Sequence, residues 1–212
     1  MTPKWQALLG ACIVLIVVVV PIVCYRMVYT HDKRLHEIIP GRVYRSGQLT
    51  AEGFAAAKER FGLRTIVNVQ DDYPDPDLSL NFWSSRHVKE SEWCAKLGVR
   101  YVVIKPDLVS KKLAPDKHPE AIDQLLDLLD DERNYPVLIH CKAGLHRTGV
   151  LSAVVRMEYQ GWTPVEAYRE LKAHGFGDWV CTSANEYVRQ YVLNYRPGHR
   201  RHATAGKATA SR

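Results

Sequence analysis

Cys141 and Arg147 are the two side chains whose types and spacing point most directly to chemistry. They lie six residues apart in the segment 136–149, which reads PVLIHCKAGLHRTG. A cysteine thiolate can attack phosphorus, and an arginine fork can bind two oxygens of a phosphoryl group at once. Gly144 lets the intervening backbone bend closely, and Thr148 is placed to hydrogen-bond the departing sulfur. The spacing therefore predicts an anion site that suits phosphate.

The elements on either side of this segment must hold it in place. Residues 136–139 form a short apolar run rich in β-branched side chains, which predicts a buried strand. Residues 150–159 predict a helix with an apolar face, and the loop between the two closes at Thr148 and Gly149. Backbone N–H groups of such a loop surround a concavity, and the helix adds positive potential. The same field favours the thiolate form of Cys141.

The loop resembles the signature of the cysteine-dependent protein tyrosine phosphatases, His-Cys-x-x-Gly-x-x-Arg-Ser/Thr, and every fixed position is present. The resemblance implies that Cys141 is the nucleophile and Arg147 the phosphate clamp. We expect His140 to be a structural histidine satisfied by the backbone. The residues that the resemblance assigns to phosphate binding are Lys142, Ala143, Gly144, Leu145, His146, Arg147 and Thr148.

A second stretch extends this resemblance over most of residues 38–195. GRVYRSGQ at 41–48, a helix, and GLRTIVNV at 62–69 are similar to the opening of dual-specificity-type phosphatase domains, including bacterial, plant and fungal atypical members. Arg45 is interpreted either as part of the site's rim or as a plain surface residue. The family's chemistry then implies attack by Cys141, a phosphocysteine intermediate and its hydrolysis by water, with neither metal nor organic cofactor.

Protonation of the leaving oxygen requires an acid on a loop opposite the nucleophile. Asp107 follows a predicted strand end and precedes Cys141 by 34 residues, a spacing similar to that in dual-specificity phosphatases, and is the preferred candidate. Asp116 is the alternative, and Asp71 or Asp72 comes third.

Strands that alternate with helices predict an α/β fold with a mostly parallel central sheet flanked by helices. Such folds bind ligands beyond the carboxyl ends of the strands. The predicted elements are a strand and turn at 41–48, a helix from Thr50 to about Arg60 ended by Gly62, a strand at 63–69, a helix at 85–97 ended by Gly98, a strand at 100–104, a helix at 121–129 with Asp116 as N-cap, and two terminal helices opened by capping boxes at Thr163 and Ser183.

An uncharged apolar run at 8–23 predicts one transmembrane helix, which gives an anchor at 1–30, a phosphatase domain at 31–195 and a basic tail at 196–212. A cleaved signal peptide is the rival interpretation, but no small-x-small site follows the run before Arg26. Lys4 precedes the run, whereas Arg26, Lys33 and Arg34 follow it, which favours a cytoplasmic catalytic domain. A thiolate nucleophile also needs a reducing compartment, and the five cysteines show no disulfide-framework spacing.

The net charge of +6 lies mainly at the two ends of the chain. The tail holds five basic residues and no acid, and residues 41–195 are nearly neutral. This distribution fits attraction to anionic lipid better than a nucleic-acid footprint.

The substrate is less sharply defined by the sequence. A basic rim, formed by Lys142, His146, Lys105, Lys111 and Lys112, would suit phosphoinositides or inositol phosphates. Family members with lysine after the catalytic cysteine include lipid phosphatases, but these typically carry a further basic residue where this loop has Leu145. Phosphotyrosine or phosphoserine/threonine protein is therefore the leading choice. A rhodanese-like sulfurtransferase and an inactive phospho-binding module are minor alternatives.

Overall fold

The computed structural model describes residues 3–26, 32–75, 78, 88–105, 119–177 and 191–198. The first described element is an apolar helix. It comprises α1 (Pro3–Val14), a π-helical turn (Leu15–Val19) and α2 (Val20–Arg26). The stretch Pro3–Tyr25 is long and apolar enough to cross a bilayer, a criterion that a signal sequence also meets. Its side chains are exposed, so they are not part of the domain's core.

A five-stranded mixed sheet forms the centre of the domain. Its strands are β1 (His36–Ile39), β2 (Val43–Ser46), β3 (Thr65–Asn68), β4 (Arg100–Val103) and β5 (Val137–His140), in the spatial order β1-β2-β5-β3-β4. The last four strands in this order are mutually parallel, and β1 pairs antiparallel with β2 at one edge. The predicted α/β fold is therefore confirmed. The edge strand β1 was missed because its first two residues, His36 and Glu37, are polar and exposed.

In the part of the domain that the structure describes, the two faces of the sheet are covered by α3 (Ala51–Phe61), α4 (Glu90–Leu97), α5 (Glu120–Leu129), α6 (Arg147–Gln160) and α7 (Pro164–Ala173). An apolar core lies on each face of the sheet, and successive side chains of β5 pack into opposite cores because side chains alternate across a strand. Val137 and Ile139 pack with α5, α6 and α7, whereas Leu138 packs with α3 and α4. Burial on both faces explains why the β5 sequence is continuously apolar up to His140.

Three of the predicted helix boundaries are confirmed by their capping interactions. Thr50 accepts a hydrogen bond from the Gly53 N–H at 3.0 Å, and Gly62 ends α3 in the left-handed conformation. Thr163 and Glu166 form the predicted capping box at the start of α7. The second capping box, at Ser183, lies outside the described residues.

The predicted starts of two helices and the predicted N-cap of a third are wrong. Helix α4 begins at Glu90, five residues after the predicted start, because Val88 pairs with Asp75 in an antiparallel bridge. Helix α5 begins at Glu120 with Pro119 at the N-cap position, so Asp116 is not its N-cap. Helix α6 begins at Arg147 instead of Val150, which places the arginine in the first helical turn.

An ion pair between Arg156 and Glu170 joins α6 to α7. The Arg156 Nη2 and Glu170 Oε1 atoms lie 2.6 Å apart, and the two side chains are only 14% and 15% exposed. Burial by itself would raise the pKa of Glu170, but hydrogen bonds from His174 and Arg156 outweigh it and lower the pKa to about 2. The carboxylate therefore stabilises the fold as long as it stays ionised.

We predict that Glu170→Gln lowers the free energy of unfolding at pH 7 by about 2 kcal/mol. Because the pKa of Glu170 in the fold is below its ordinary value of 4.5, its contribution is complete above pH 4.5 and is lost as the pH falls toward 2. Urea titrations at pH 7, 4.5 and 3 should therefore show a smaller pH dependence in the variant than in the wild type. Glu59→Gln, at an exposed position of α3, is the matched control. Equal pH dependence in wild type and Glu170→Gln would contradict the assignment.

Candidate active site

The loop that follows β5 lies at the carboxyl ends of three neighbouring parallel strands. Ser46 of β2 and Asn68 of β3 both stand beside His140 of β5 in the sheet register. Cys141 comes next, with 5% of its surface exposed. The Gly144 N–H donates a hydrogen bond to its sulfur at 3.3 Å. The loop thus turns back so that a backbone donor faces the thiol, as the sequence predicts.

Gly144 is required by the tight packing of the loop against the turn after β2. Its φ is +71°, in the left-handed region that favours glycine. A Cβ atom at this position would lie 2.6 Å from the Gly47 nitrogen and 2.8 Å from the Ser46 carbonyl carbon. Any other residue would push the loop away from β2.

Three consecutive loop carbonyls accept hydrogen bonds from groups outside the loop. These bonds run from the Gln48 N–H to Lys142 O at 3.1 Å, from Arg34 Nη1 to Ala143 O at 3.0 Å, and from Arg45 Nη2 to Gly144 O at 2.8 Å. In a trans peptide the carbonyl and the following N–H point in opposite directions. The N–H groups of residues 143, 144 and 145 are therefore turned away from these donors. For residue 144, that direction is toward the Cys141 sulfur.

Arg45 is buried beneath the loop, with 2% exposure, so its interpretation as a surface residue is wrong. Burial lowers the pKa of Arg45 to about 10, while the charges of Glu170 and Cys141 oppose the shift. The side chain therefore remains cationic at neutral pH. A buried positive charge behind the loop favours an anion in front of it.

Arg147 and Thr148 occupy the first turn of α6. The half-buried Arg147 guanidinium lies at the end of β3, where Nη1 is 3.5 Å from the Val69 carbonyl oxygen. The helix N-terminus and this side chain both bring positive charge to the loop. Thr148 is fully buried, and its hydroxyl has no hydrogen-bond partner in the described part of the chain. The predicted bond from Thr148 to the sulfur is thus absent from this arrangement.

His146 and Leu145 face the protein more than the solvent. The Leu145 side chain is 6% exposed. The His146 ring packs edge-on against Phe176, with the ring centroids 5.7 Å apart. Burial, followed by the charge of Arg147, lowers the pKa of His146, so this imidazole is neutral at pH 7. Neither side chain adds a formal charge to the rim.

A buried carboxylate on α4 supports the residue before the nucleophile. Glu90 is 2% exposed, and its Oε1 and Oε2 atoms lie 2.7 Å from His140 Nε2 and Gln48 Nε2. Gln48 in turn accepts a hydrogen bond from Gln70 Nε2 at 2.5 Å. The expectation that the backbone satisfies His140 is thus replaced by a side-chain network. Glu90 was missed because sequence spacing gives no sign that a residue 50 positions from His140 contacts it.

The acidic loop at 71–75 borders the site and is tied to it through Lys142. The Lys142 Nζ lies 2.8 and 2.9 Å from the two carboxylate oxygens of Asp75, which is buried. Asp72 accepts hydrogen bonds from Ser91 Oγ and the Tyr101 hydroxyl, so it has a structural role at the start of α4. Asp71 is exposed. The preferred acid Asp107, its alternative Asp116, and Lys111 and Lys112 lie outside the described residues.

Comparison with known proteins identifies relatives along most of the domain. A model of the tyrosine phosphatase family matches residues 36–198. Dual specificity protein phosphatase TpbA from Pseudomonas aeruginosa is 44% identical over 71 residues, 33% of each chain. The tyrosine-protein phosphatase-like protein OCA2 of Saccharomyces cerevisiae is 29% identical over 168 residues, 76% of each chain. The inositol diphosphatase DSP3 of Arabidopsis thaliana is 32% identical over 120 residues, 57% of this chain and 52% of DSP3. The alignments thus span only a third to about half of TpbA and DSP3.

Solved structures that share the fold include two phosphatases. The crystal structure of P. aeruginosa TpbA superposes with a TM-score of 0.58 at 24% identity, covering 78% of this chain and 86% of that one. The catalytic domain of the PP-IP phosphatase SIW14 from S. cerevisiae gives a TM-score of 0.57 at 21% identity, covering 77% and 86%.

We predict that Glu90→Ala lowers the free energy of unfolding by about 3 kcal/mol, because it leaves His140 and Gln48 buried without their shared acceptor. Urea unfolding followed by tryptophan fluorescence measures the loss. Glu92→Ala, an exposed position in the same first turn of α4, is the matched control and should change stability by less than about 0.5 kcal/mol. Similar losses in the two variants would contradict the role given to the Glu90 network.

Proposed function

Since the chain belongs to the tyrosine phosphatase family, we propose that it hydrolyses phosphate monoesters through a phosphocysteine formed on Cys141. The observation that carries this proposal is the loop itself. Its outer carbonyls are fixed by Arg34, Arg45 and Gln48, and the Gly144 N–H faces the Cys141 sulfur. A phosphoryl group placed at this sulfur would meet donors arranged before it arrives, which is the most effective form of electrostatic catalysis.

The first step transfers the phosphoryl group to sulfur. The Cys141 thiolate forms the S–P bond in line with the breaking P–O bond, while Arg147 and the loop N–H groups hold the equatorial oxygens. The leaving oxygen takes a proton from Asp107, the acid that the sequence favours over Asp116. In the second step the same carboxylate accepts a proton from water, which attacks phosphorus, releases inorganic phosphate and restores the thiolate.

Phosphorylated tyrosine, serine or threonine in proteins is the proposed substrate class. TpbA is named as a dual specificity protein phosphatase, and the present loop limits the positive charge available to a polyanion. Lys142 is held by the Asp75 carboxylate, Leu145 is buried, and His146 is neutral at pH 7. A single phosphoryl group on a protein needs fewer cations than an inositol diphosphate.

Inositol phosphates are the second candidate substrates. DSP3 is named as an inositol diphosphatase, and the exposed Lys105 at the end of β4 adds one cation on the site's side of the sheet. Lys142 could serve such a substrate if the Asp75 carboxylate were displaced. The two candidates differ in the charge that the rim must neutralise, and this difference can be measured.

We further propose that residues 1–30 anchor the enzyme in a membrane, with the domain at 31–195 on the cytoplasmic side and a basic tail at 196–212. The helix Pro3–Tyr25 supports the anchor by its length and apolar composition. Arg26, Lys33 and Arg34, which follow the helix, support the orientation. Protease protection in sealed vesicles would test both statements.

We predict that the full chain in detergent hydrolyses a small aryl phosphate. Cys141→Ser should abolish turnover because it removes the nucleophile, and Asp107→Ala should lower kcat by roughly 10² or more. Cys24→Ser, an exposed cysteine in α2, is the matched control and should retain full activity. A wild-type protein that is inert in reducing buffer over a broad pH range would refute catalysis and favour a phosphate-binding module.

We predict that the wild type has a higher kcat/KM for a phosphotyrosine peptide than for an inositol diphosphate. Asp75→Asn should shift this ratio several-fold toward the inositol diphosphate, because it removes the negative charge that faces Lys142. Phosphate release from the two substrates measures the ratio, and Asp71→Asn, an exposed acid of the same loop, is the control. A wild type that prefers the inositol diphosphate by tenfold or more would reverse the proposed substrate class.

A further inference from the structure

The short segment 32–35 connects the region of the apolar helix to β1, and it adopts an unusual backbone conformation. Arg34 has a φ of 55°, the only positive φ at a non-glycine among the described residues. L-amino acids rarely occupy this left-handed region, because the Cβ atom crowds the backbone. The Leu35 N–H closes a turn on the Asp32 carbonyl at 2.6 Å. This conformation is therefore maintained by surrounding contacts.

Those contacts are with the turn after β2 and with the loop from Cys141 to His146 that follows β5, called the phosphate loop below. The Gly47 N–H donates to the Lys33 carbonyl at 2.7 Å. A Cβ atom on Gly47 would lie 2.9 Å from Lys33 Cγ and 3.2 Å from the Ala143 carbonyl carbon. Segment 32–35, Gly47 and the loop are thus stacked in direct contact, without space for an intervening side chain.

The Arg34 side chain contacts the Ala143–Gly144 peptide, whose N–H faces the Cys141 sulfur. Its Nη1 donates to the Ala143 carbonyl oxygen at 3.0 Å. The N–H of the same peptide belongs to Gly144, and it donates to Cys141 Sγ at 3.3 Å. Rotation of this peptide would break both hydrogen bonds together, because its atoms lie in one plane.

We propose that Arg34 is a positioning residue for the phosphate loop, which it controls by fixing the Ala143–Gly144 peptide. The inference rests on the proposed function, since it assigns the Gly144 N–H to the Cys141 thiolate and its phosphoryl adduct. Arg45 and Gln48 fix the neighbouring peptides from β2 and the turn that follows it. Arg34 acts from outside the sheet, eight residues after the end of α2 at Arg26.

The consequence is that the segment leading to the apolar helix is part of the catalytic apparatus. The guanidinium also brings a positive charge to the outer side of a peptide whose inner side faces an anion. Its polarisation of the carbonyl strengthens the N–H as a donor. Loss of Arg34 should therefore reduce the stabilisation of negative charge at the Cys141 sulfur more than it reduces the stability of the fold.

The test compares Arg34→Asn and Arg34→Lys with the wild type as full chains in detergent. Asparagine tolerates the left-handed conformation and removes the guanidinium, while lysine keeps a cation with different geometry. Arg64→Asn, at an exposed loop position before β3, is the matched control. Aryl phosphate hydrolysis gives kcat and KM separately, and thermal unfolding reports on the fold.

We expect Arg34→Asn to lower kcat/KM by about tenfold, mainly through kcat, with an unchanged midpoint of thermal unfolding. Arg34→Lys should fall between this variant and the wild type. Added guanidinium ion should restore part of the activity of Arg34→Asn and have no such effect on Arg64→Asn. Values for Arg34→Asn within twofold of the wild type, or no guanidinium rescue, would overturn the proposal.

A second measurement does not depend on turnover. The rate of Cys141 alkylation by iodoacetamide, followed by mass spectrometry of the Cys141 peptide, reports how well the loop stabilises the thiolate. It should fall several-fold in Arg34→Asn and recover with guanidinium. If the wild type hydrolyses no phosphate ester but this pattern is seen, the proposed function fails and the role of Arg34 stands. If the wild type is active and Arg34→Asn alters neither rate, the role of Arg34 fails alone.

Discussion

The outward anchoring of three successive carbonyls is the constraint on which the site depends. A free loop of this length could turn its peptide groups either way, and a carbonyl pointing at phosphate would repel it. Gln48, Arg34 and Arg45 remove that freedom by binding the carbonyls of residues 142, 143 and 144 from behind. The N–H groups at the opposite ends of these peptides then point away from the three donors, and that of Gly144 faces the Cys141 sulfur. In the proposed function, the conformation that would bind an anion is therefore set by hydrogen bonds from Gln48, Arg34 and Arg45 on the far side of the loop.

Two charged side chains next to the loop, Arg45 and Glu90, are buried, and burying a charge costs free energy. Arg45 and Glu90 are each only 2% exposed, and an unpaired charge at that depth would destabilise the fold. Arg45 is compensated by the Gly144 carbonyl and by the attraction of Glu170, and Glu90 by His140 and Gln48. Both groups lie behind the loop, where a well-packed apolar core would be simpler. Their presence is understandable when the loop must be held in one conformation.

The exposed edge of the site is held by an ion pair, whereas the buried side of the loop is held by hydrogen bonds to its carbonyls. Lys142 is 48% exposed at its side chain and faces the buried carboxylate of Asp75, which the acidic loop brings across the strand ends. The same loop pairs with Val88 and thereby sets where α4 can begin. The Lys142–Asp75 ion pair is thus connected through this acidic loop to the start of α4, whose first residue, Glu90, contacts His140.

The sequence by itself determined the strand, loop and helix around Cys141, the parallel sheet and the helix ends at Thr50, Gly62 and Thr163, because these depend on local periodicity, caps and glycine conformations. The predicted start of α4 is wrong because a distant partner intervenes, since Asp75 pairs with Val88 just before the helix. Only the tertiary structure decided that Arg45 is buried, that Glu90 meets His140 and that Arg34 reaches Ala143. Those contacts span 50 residues or more, and no local pattern encodes which polar side chain will find a carbonyl on the far side of the fold.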